Sequence, residues 1–170
     1  MAVGGKKILV MGVGNVLLKD EGIGVHVVRE LMKMELPEDV EVLDGGTAAI
    51  DLLHMIEGRE KMVVIDAMLS DNEEPGSIFR LTPGDIQPTF RGKTSLHQLG
   101  LIEVLEMADM TGHCPDTVIF AVVPESIGTF GENLTSRIKG RVPRLIELVL
   151  EELGTPREKE GGRGGKGSRD

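Results

Sequence analysis

Two adjacent carboxylates, Asp20 and Glu21, follow the glycine turn Gly12-Val13-Gly14 and stand where a helix is due to begin. Further along come Asp44, ahead of Gly45-Gly46-Thr47, then Asp66 in the apolar run Val63-Val64-Ile65-Asp66-Ala67-Met68, and His97 in Ser95-Leu96-His97-Gln98. One Glu, one Asp and one His with open positions form a mixed oxygen and nitrogen ligand set. Such a set suits nickel, zinc, cobalt or iron better than calcium, and nothing in the spacing selects among the four. The same groups can exchange protons in a hydrolysis.

Each residue has a plainer reading to set beside that chemistry. Asp66 is expensive to bury unless it is paired, hydrogen-bonded or bound to a cation; the plainer role is capping the N–H groups of a neighbouring loop. Acidic residues favour the first turn of any helix, where the N-terminal dipole is positive, so Asp20 or Glu21 taken alone reads as a helix-end group. Their pairing after a glycine turn argues for more, and the longer Glu21 is the better candidate to reach inward. The dipole also disfavours protonation of a histidine in a first turn, which keeps His97 neutral and able to ligate. His26 and His54 read as solvated positions on helix faces. His113-Cys114, before Pro115, suggests a thiol nucleophile, but adjacent residues rarely face each other and nothing nearby supplies an oxyanion hole.

The first segment, Ile8 to Leu31, opens like a dinucleotide-binding motif and then departs from it. The third glycine is missing, with Leu17 in its place, and the helix starts with two carboxylates. A helix N-terminus normally receives phosphate; Asp20 and Glu21 would repel a pyrophosphate there. Asp44, at the end of a second strand, is where a ribose hydroxyl would bind in such a fold. With the phosphate half lost, its glycines instead suggest a loop that another backbone approaches closely.

The elements that must position these groups alternate. Continuous apolar runs predict strands at about Lys7–Met11, buried on both faces, and Met62–Ala67, with further strands at Val40–Leu43 and at Thr117–Val123, stopped by Pro124, and a short edge strand at Ser77–Leu81. Helices are expected at about Glu21–Met34, from a cap at Asp44 or Thr47 to Met55, from the capping box at Ser95 to Asp109, and over Leu134–Leu153 with a kink or later start at Pro143. This order implies an α/β fold: a three-layer αβα sandwich around a mostly parallel five-stranded sheet with one short antiparallel edge strand. Residues 1–156 read as one domain and 157–170 as a flexible Gly/Lys/Arg-rich tail. In such sheets ligands bind beyond the carboxyl ends of the strands, and Glu21, Asp44, Asp66 and His97 all fall at that edge.

Composition narrows the classes. The chain has 170 residues and a net charge of −9, although residues 157–170 are net basic. An acidic body without Trp or Tyr is a poor partner for nucleic acid. No apolar run reaches the length of a membrane span and no signal-peptide pattern opens the chain. A single cysteine, Cys114, excludes an internal disulfide and a multi-thiolate zinc site. A cytoplasmic setting fits these features.

Taken together, Gly12-Val13-Gly14-Asn15 with Asp20-Glu21-Gly22-Ile23-Gly24, Asp44-Gly45-Gly46-Thr47, Ile65-Asp66-Ala67 with Pro75-Gly76, Ser95-Leu96-His97-Gln98-Leu99-Gly100-Leu101 and Pro124-Glu125-Ser126 resemble the NiFe-hydrogenase maturation endopeptidases, over nearly the whole chain. The resemblance implies a cytoplasmic, aspartic-type endopeptidase that removes a C-terminal extension from a hydrogenase large subunit after nickel insertion. It implies nickel carried by the substrate, with no tightly bound intrinsic metal, contacted by Glu21, Asp66 and His97 as metal-binding and catalytic residues. Asp44, Gly45, Gly46 and Thr47 would recognise the substrate. The implied partners are the precursor large subunit and nickel-insertion accessory proteins, with no nucleic acid and no membrane. The rival readings are a non-cleaving nickel-dependent checkpoint or chaperone for the large subunit, and a nucleotide-binding protein. Thr135-Ser136 stands where relatives often carry Ser-Pro, a departure expected to lie away from the site.

Overall fold

The runs read as doubly buried strands are the centre of the sheet. In the computed structural model, which describes residues 5–46, 52–85 and 96–154 (the backbone alone for 96–100), every residue of β1 (Ile8–Val13) and β3 (Lys61–Ala67) is buried. The strand order is β2-β1-β3-β5-β4, with β2 at Val40–Gly46, β4 at Ile78–Leu81 and β5 at Asp116–Val122. Four strands are parallel and β4 runs antiparallel to β5 at the edge, as the sequence predicts.

Side chains alternate between the faces of a strand, and the core divides accordingly. Ile8, Val10, Val63, Ile65, Val118 and Phe120 meet α1 (Ile23–Leu31) and α5 (Val142–Gly154). Leu9, Met11, Met62, Val64 and Ile119 meet α2 (Leu52–Ile56) and α3 (Leu96–Met110). The result is the expected three-layer sandwich. Each wholly buried aliphatic or aromatic side chain contributes roughly 1.5–3 kcal/mol by leaving water, so the two clusters dominate stability. No helix among the described residues is long and apolar enough to cross a membrane.

Several boundaries differ from the periodicity reading. The first helix does not begin at Glu21. A 3₁₀ turn at Lys19–Gly22 precedes α1, entered through Lys19 at φ +46°. A Cβ on Gly22 would lie 2.7 Å from the Val16 Cα, so the turn packs directly on the preceding backbone. The helix then ends at Leu31 through i→i+3 bonds such as Lys33 N–H to the Glu30 carbonyl. β2 runs on to Gly46, so Asp44-Gly45-Gly46 is the end of a strand rather than a free loop, with Asp44 in register with Gly12. Of the two proposed caps of the second helix, Asp44 lies within β2, eight residues before α2 (Leu52–Ile56); Thr47 lies outside the described residues, as do Ser95 and the tail. The last helix is two, α4 (Ser136–Lys139) and α5, whose start at Val142 is the later start expected around Pro143. Pro143 is thus in the first turn of α5, where its missing N–H has no partner to lose.

At the amino edge of the sheet a charged group is buried. The Glu152 carboxylate of α5 accepts from Lys61 Nζ at 3.1 Å and from Arg80 Nε and Nη2 at 3.1 and 2.9 Å. Lys61 Nζ also donates to the Glu152 carbonyl at 3.1 Å. This ties the end of α5 to β3 and β4.

Candidate active site

β1 turns towards β2 through α1, while β3 lies on the other side of β1. The chain therefore diverges beyond the carboxyl ends of β1 and β3, the usual ligand crevice of an open α/β sheet. The turn after β1 closes on itself there. Gly14, at φ +137°, donates its N–H to the Gly46 carbonyl at 3.0 Å, and a Cβ on it would lie 2.1 Å from the Glu21 carbonyl oxygen. A Cβ on Gly24 would lie 2.1 Å from the Ile65 carbonyl oxygen. These glycines let α1 and the Glu21 turn press onto the ends of β1 and β3. They bring backbone against backbone.

Asp66, the penultimate residue of β3, is 2% exposed, and its Oδ1 accepts the Ala67 N–H at 2.7 Å. The turn that carries Glu21 packs against β3. Glu21 is half-buried, and its Oε2 accepts the Gly128 N–H at 2.9 Å. His97 is the second residue of α3. α3 spans 15 residues, about 22 Å at 1.5 Å per residue, and connects through a short turn to the start of β5. Its first turn is therefore at the carboxyl edge, with Glu21 and Asp66. The His97 side chain lies outside the described residues. Among the described residues no group of three or more His, Cys, Asp or Glu is placed to hold a metal ion; Glu21 and Asp66 are two of the three expected.

Asp44 is exposed at the end of β2. Its Oδ1 accepts the Gly46 N–H at 3.0 Å, and its Oδ2 lies 3.6 Å from Arg29 Nη2. It borders the crevice but lies two strands from β3, since β1 stands between them.

Asp20 departs most from the sequence reading. It is wholly buried, more so than Glu21, and it is no simple helix-end charge. Its Oδ2 accepts the N–H groups of Glu125 and Ser126 and the Thr135 hydroxyl at 3.1, 2.9 and 2.9 Å, and its Oδ1 accepts the Thr135 N–H at 2.8 Å. Thr135, expected away from the site, is thus bonded to the residue beside Glu21. The signal available in sequence was an acid next to Glu21 and a Pro-Glu-Ser turn; their pairing spans more than a hundred residues and has no local signature.

His26 is also not a solvated surface residue. It is half-buried, and its Nε2 is buried without a hydrogen-bond partner. Burial, reinforced by the Arg29 charge, lowers its pKa against a hydrogen bond to the Glu132 backbone and the charges of Asp20 and Glu30. His54 and His113 are exposed. Burial, then the charges of Asp109 and Asp116, push the Cys114 thiol up, so it is a poor nucleophile at neutral pH.

A family model described as HycI, hydrogenase maturation protease, matches residues 25–152. The chain belongs to the hydrogenase maturation protease family. It is 39% identical over 149 residues to the hydrogenase 2 maturation protease of Escherichia coli K12, covering 86% of this chain and 90% of that protein. It is 37% identical over 151 residues to the hydrogenase expression/formation protein HupD of Rhizobium leguminosarum bv. viciae, covering 86% and 74%. The solved structure of the hydrogenase maturating endopeptidase HybD from E. coli superposes with a TM-score of 0.80 at 39% identity, over 86% of this chain and 91% of that one. The [NiFe] hydrogenase maturation protease HybD of Thermococcus kodakarensis gives 0.73 at 26%, over 86% and 99%. The sequence resemblance and the sandwich fold are therefore both borne out, and the chain's class of chemistry is peptide-bond hydrolysis in hydrogenase maturation.

Proposed function

We propose that this chain cleaves the C-terminal extension from the precursor large subunit of a NiFe hydrogenase after nickel has been inserted, and that it does so by engaging the nickel the substrate carries. The observation that best supports this reading is positional. Asp66 is buried at the carboxyl end of β3, the turn that carries Glu21 packs against β3, and His97 stands in the first turn of α3. Side chains of this kind bind a transition metal through oxygen and nitrogen. Without thiolates they make a weak site for a free ion, which fits a metal delivered by the substrate.

In this mechanism Glu21, Asp66 and His97 grip the precursor's nickel and so orient the scissile peptide. The bound metal supplies Lewis-acid polarisation of the carbonyl. Asp66, whose Oδ1 is fixed by the Ala67 N–H, acts as general base towards the attacking water. Asp44, Gly45, Gly46 and Thr47 contact the substrate chain at the border of the crevice. Nickel-insertion accessory proteins meet the same precursor before cleavage, and all of this takes place in the cytoplasm.

The test is cleavage of purified precursor followed by mass spectrometry. Nickel-loaded precursor should be cut once near its C-terminus, and nickel-free precursor should resist. Asp66→Asn and His97→Ala should lose processing while keeping wild-type melting. Efficient cleavage of nickel-free precursor in strong chelator would overturn the mechanism.

A further inference from the structure

Asp20 and Glu21 are neighbours in sequence with opposite fates. Glu21 is half-buried, and its Oε2 accepts the N–H of Gly128. Asp20 is buried, and both of its oxygens are occupied by four donors from one loop. Burying a carboxylate is unfavourable unless its acceptor sites are filled, and charge-assisted bonds of this kind are short and directional. The donors come from the two ends of the loop, Glu125 and Ser126 on one side and Thr135 on the other. One side chain therefore closes it.

Between those ends the loop is fastened to the Glu21 turn. Gly131 N–H donates to the Leu17 carbonyl and Lys19 N–H to the Gly131 carbonyl, both at 2.8 Å. Gly128 N–H donates to Glu21 Oε2 at 2.9 Å. The amide that orients Glu21 thus belongs to a segment whose ends are held by the residue next to Glu21.

We propose that Asp20 is a positioning residue: it fixes the loop from Glu125 to Thr135, and through Gly128 that loop aims the Glu21 carboxylate at the reacting site. Asp20 does not itself touch the substrate, because its acceptor sites are filled. The proposal rests on the reading of Glu21 given above.

Asp20→Asn keeps the shape but turns an amide donor towards incoming N–H groups. The experiment combines steady-state cleavage of nickel-loaded precursor, thermal melting and amide hydrogen exchange. A positioning role predicts that kcat per folded enzyme falls about tenfold or more with KM within about twofold. Faster exchange should be confined to the amides of residues 125–135, that of Gly128 included. A merely structural role predicts a lower melting temperature with unchanged kcat per folded enzyme, and that result overturns the proposal. If Asp20→Asn does not fold, Thr135→Val decides, since it removes one of the four donors and little volume. A drop in kcat together with faster Gly128 exchange supports the proposal, and wild-type values of either overturn it. Glu21→Gln separates the two readings. Wild-type cleavage by Glu21→Gln refutes the reading of Glu21. An inactive Glu21→Gln beside a fully active, loop-protected Asp20→Asn refutes the positioning role alone.

Discussion

Replacing Glu152 with Gln tests whether the buried charges at the amino edge of the sheet stabilise the fold independently of the site. The Glu152 side chain is 10% exposed and that of Lys61 6%, so the change leaves an ammonium in a nearly dry position. Lys61 retains the Glu152 carbonyl, and a Gln oxygen in the place of Oε1 can still accept from Lys61 Nζ and Arg80 Nη2, but the negative charge is gone and the amide nitrogen faces Arg80 Nε. Arg80 is half exposed and loses little, since exposed pairs contribute about 0–1 kcal/mol. The main loss is the uncompensated Lys61. Removing one partner of a buried pair costs about 3–5 kcal/mol; with the carbonyl retained, the lower figure of about 3 kcal/mol is expected. For a domain of this size that lowers the melting temperature by about 6–12 °C.

The same residue sets a pH signature. Burial raises the Glu152 pKa, but the hydrogen bonds from Arg80 and Lys61 and their charges outweigh it and hold the carboxyl below its ordinary value. A carboxyl whose folded-state pKa is depressed stabilises fully above the unfolded value, about 4.3 for Glu. That contribution drains as pH falls through the folded-state value. Thermal melts of wild type and Glu152→Gln should therefore differ most near pH 7 and converge in acid. Cleavage should be unaffected, because Lys61 and Asp66 sit at opposite ends of β3, about 17 Å apart at 3.3 Å per residue. A melting difference under about 2 °C at pH 7, against the 6–12 °C expected from the size scaling, would refute the reasoning. So would a difference that persists unchanged below the carboxyl range.

Three further outcomes are expected. Gly24→Ala places a Cβ 2.1 Å from the Ile65 carbonyl oxygen and 2.6 Å from that of Val13; forcing α1 off the sheet should destabilise by about 3 kcal/mol or more in urea titration and impair cleavage with it. His26 is held neutral by its lowered pKa, so its share of stability is complete above about pH 6.5 and lost as pH falls through the folded-state value; His26→Asn should flatten that part of the stability–pH curve measured by denaturant titration. Cys114→Ser should cleave at the wild-type rate and thiol alkylation should leave the wild type active, since the raised thiol pKa and its place near the amino end of β5 keep it out of the chemistry.

The three layers were legible along the chain before any contact between elements was known. Doubly buried strands read as unbroken apolar runs, α1 and α5 as amphipathic periods, and the short polar-flanked Ile78–Leu81 as an edge. Those signals are local because each depends on which face of one element meets the core. Asp66 was legible for the same reason, as a carboxylate set within a strand that has no water beside it. Family membership was legible too, since it rests on motif order along the chain. The tertiary structure alone decided what distinguishes Asp20 from Glu21. In sequence both are acids at a helix start, and length favoured Glu21 as the inward group. In the fold Asp20 is the buried one, because the loop from Glu125 to Thr135 brings it four donors from more than a hundred residues away. His26 left the surface for a similar reason, sheltered beside a segment that no helical period can foresee. The 3₁₀ turn that delays the start of α1 was likewise settled by backbone contacts at Gly22, whereas the break before α5 was legible in Pro143. Periodicity records which face of an element is apolar; which distant backbone arrives to satisfy a polar group is decided only when the chain closes on itself.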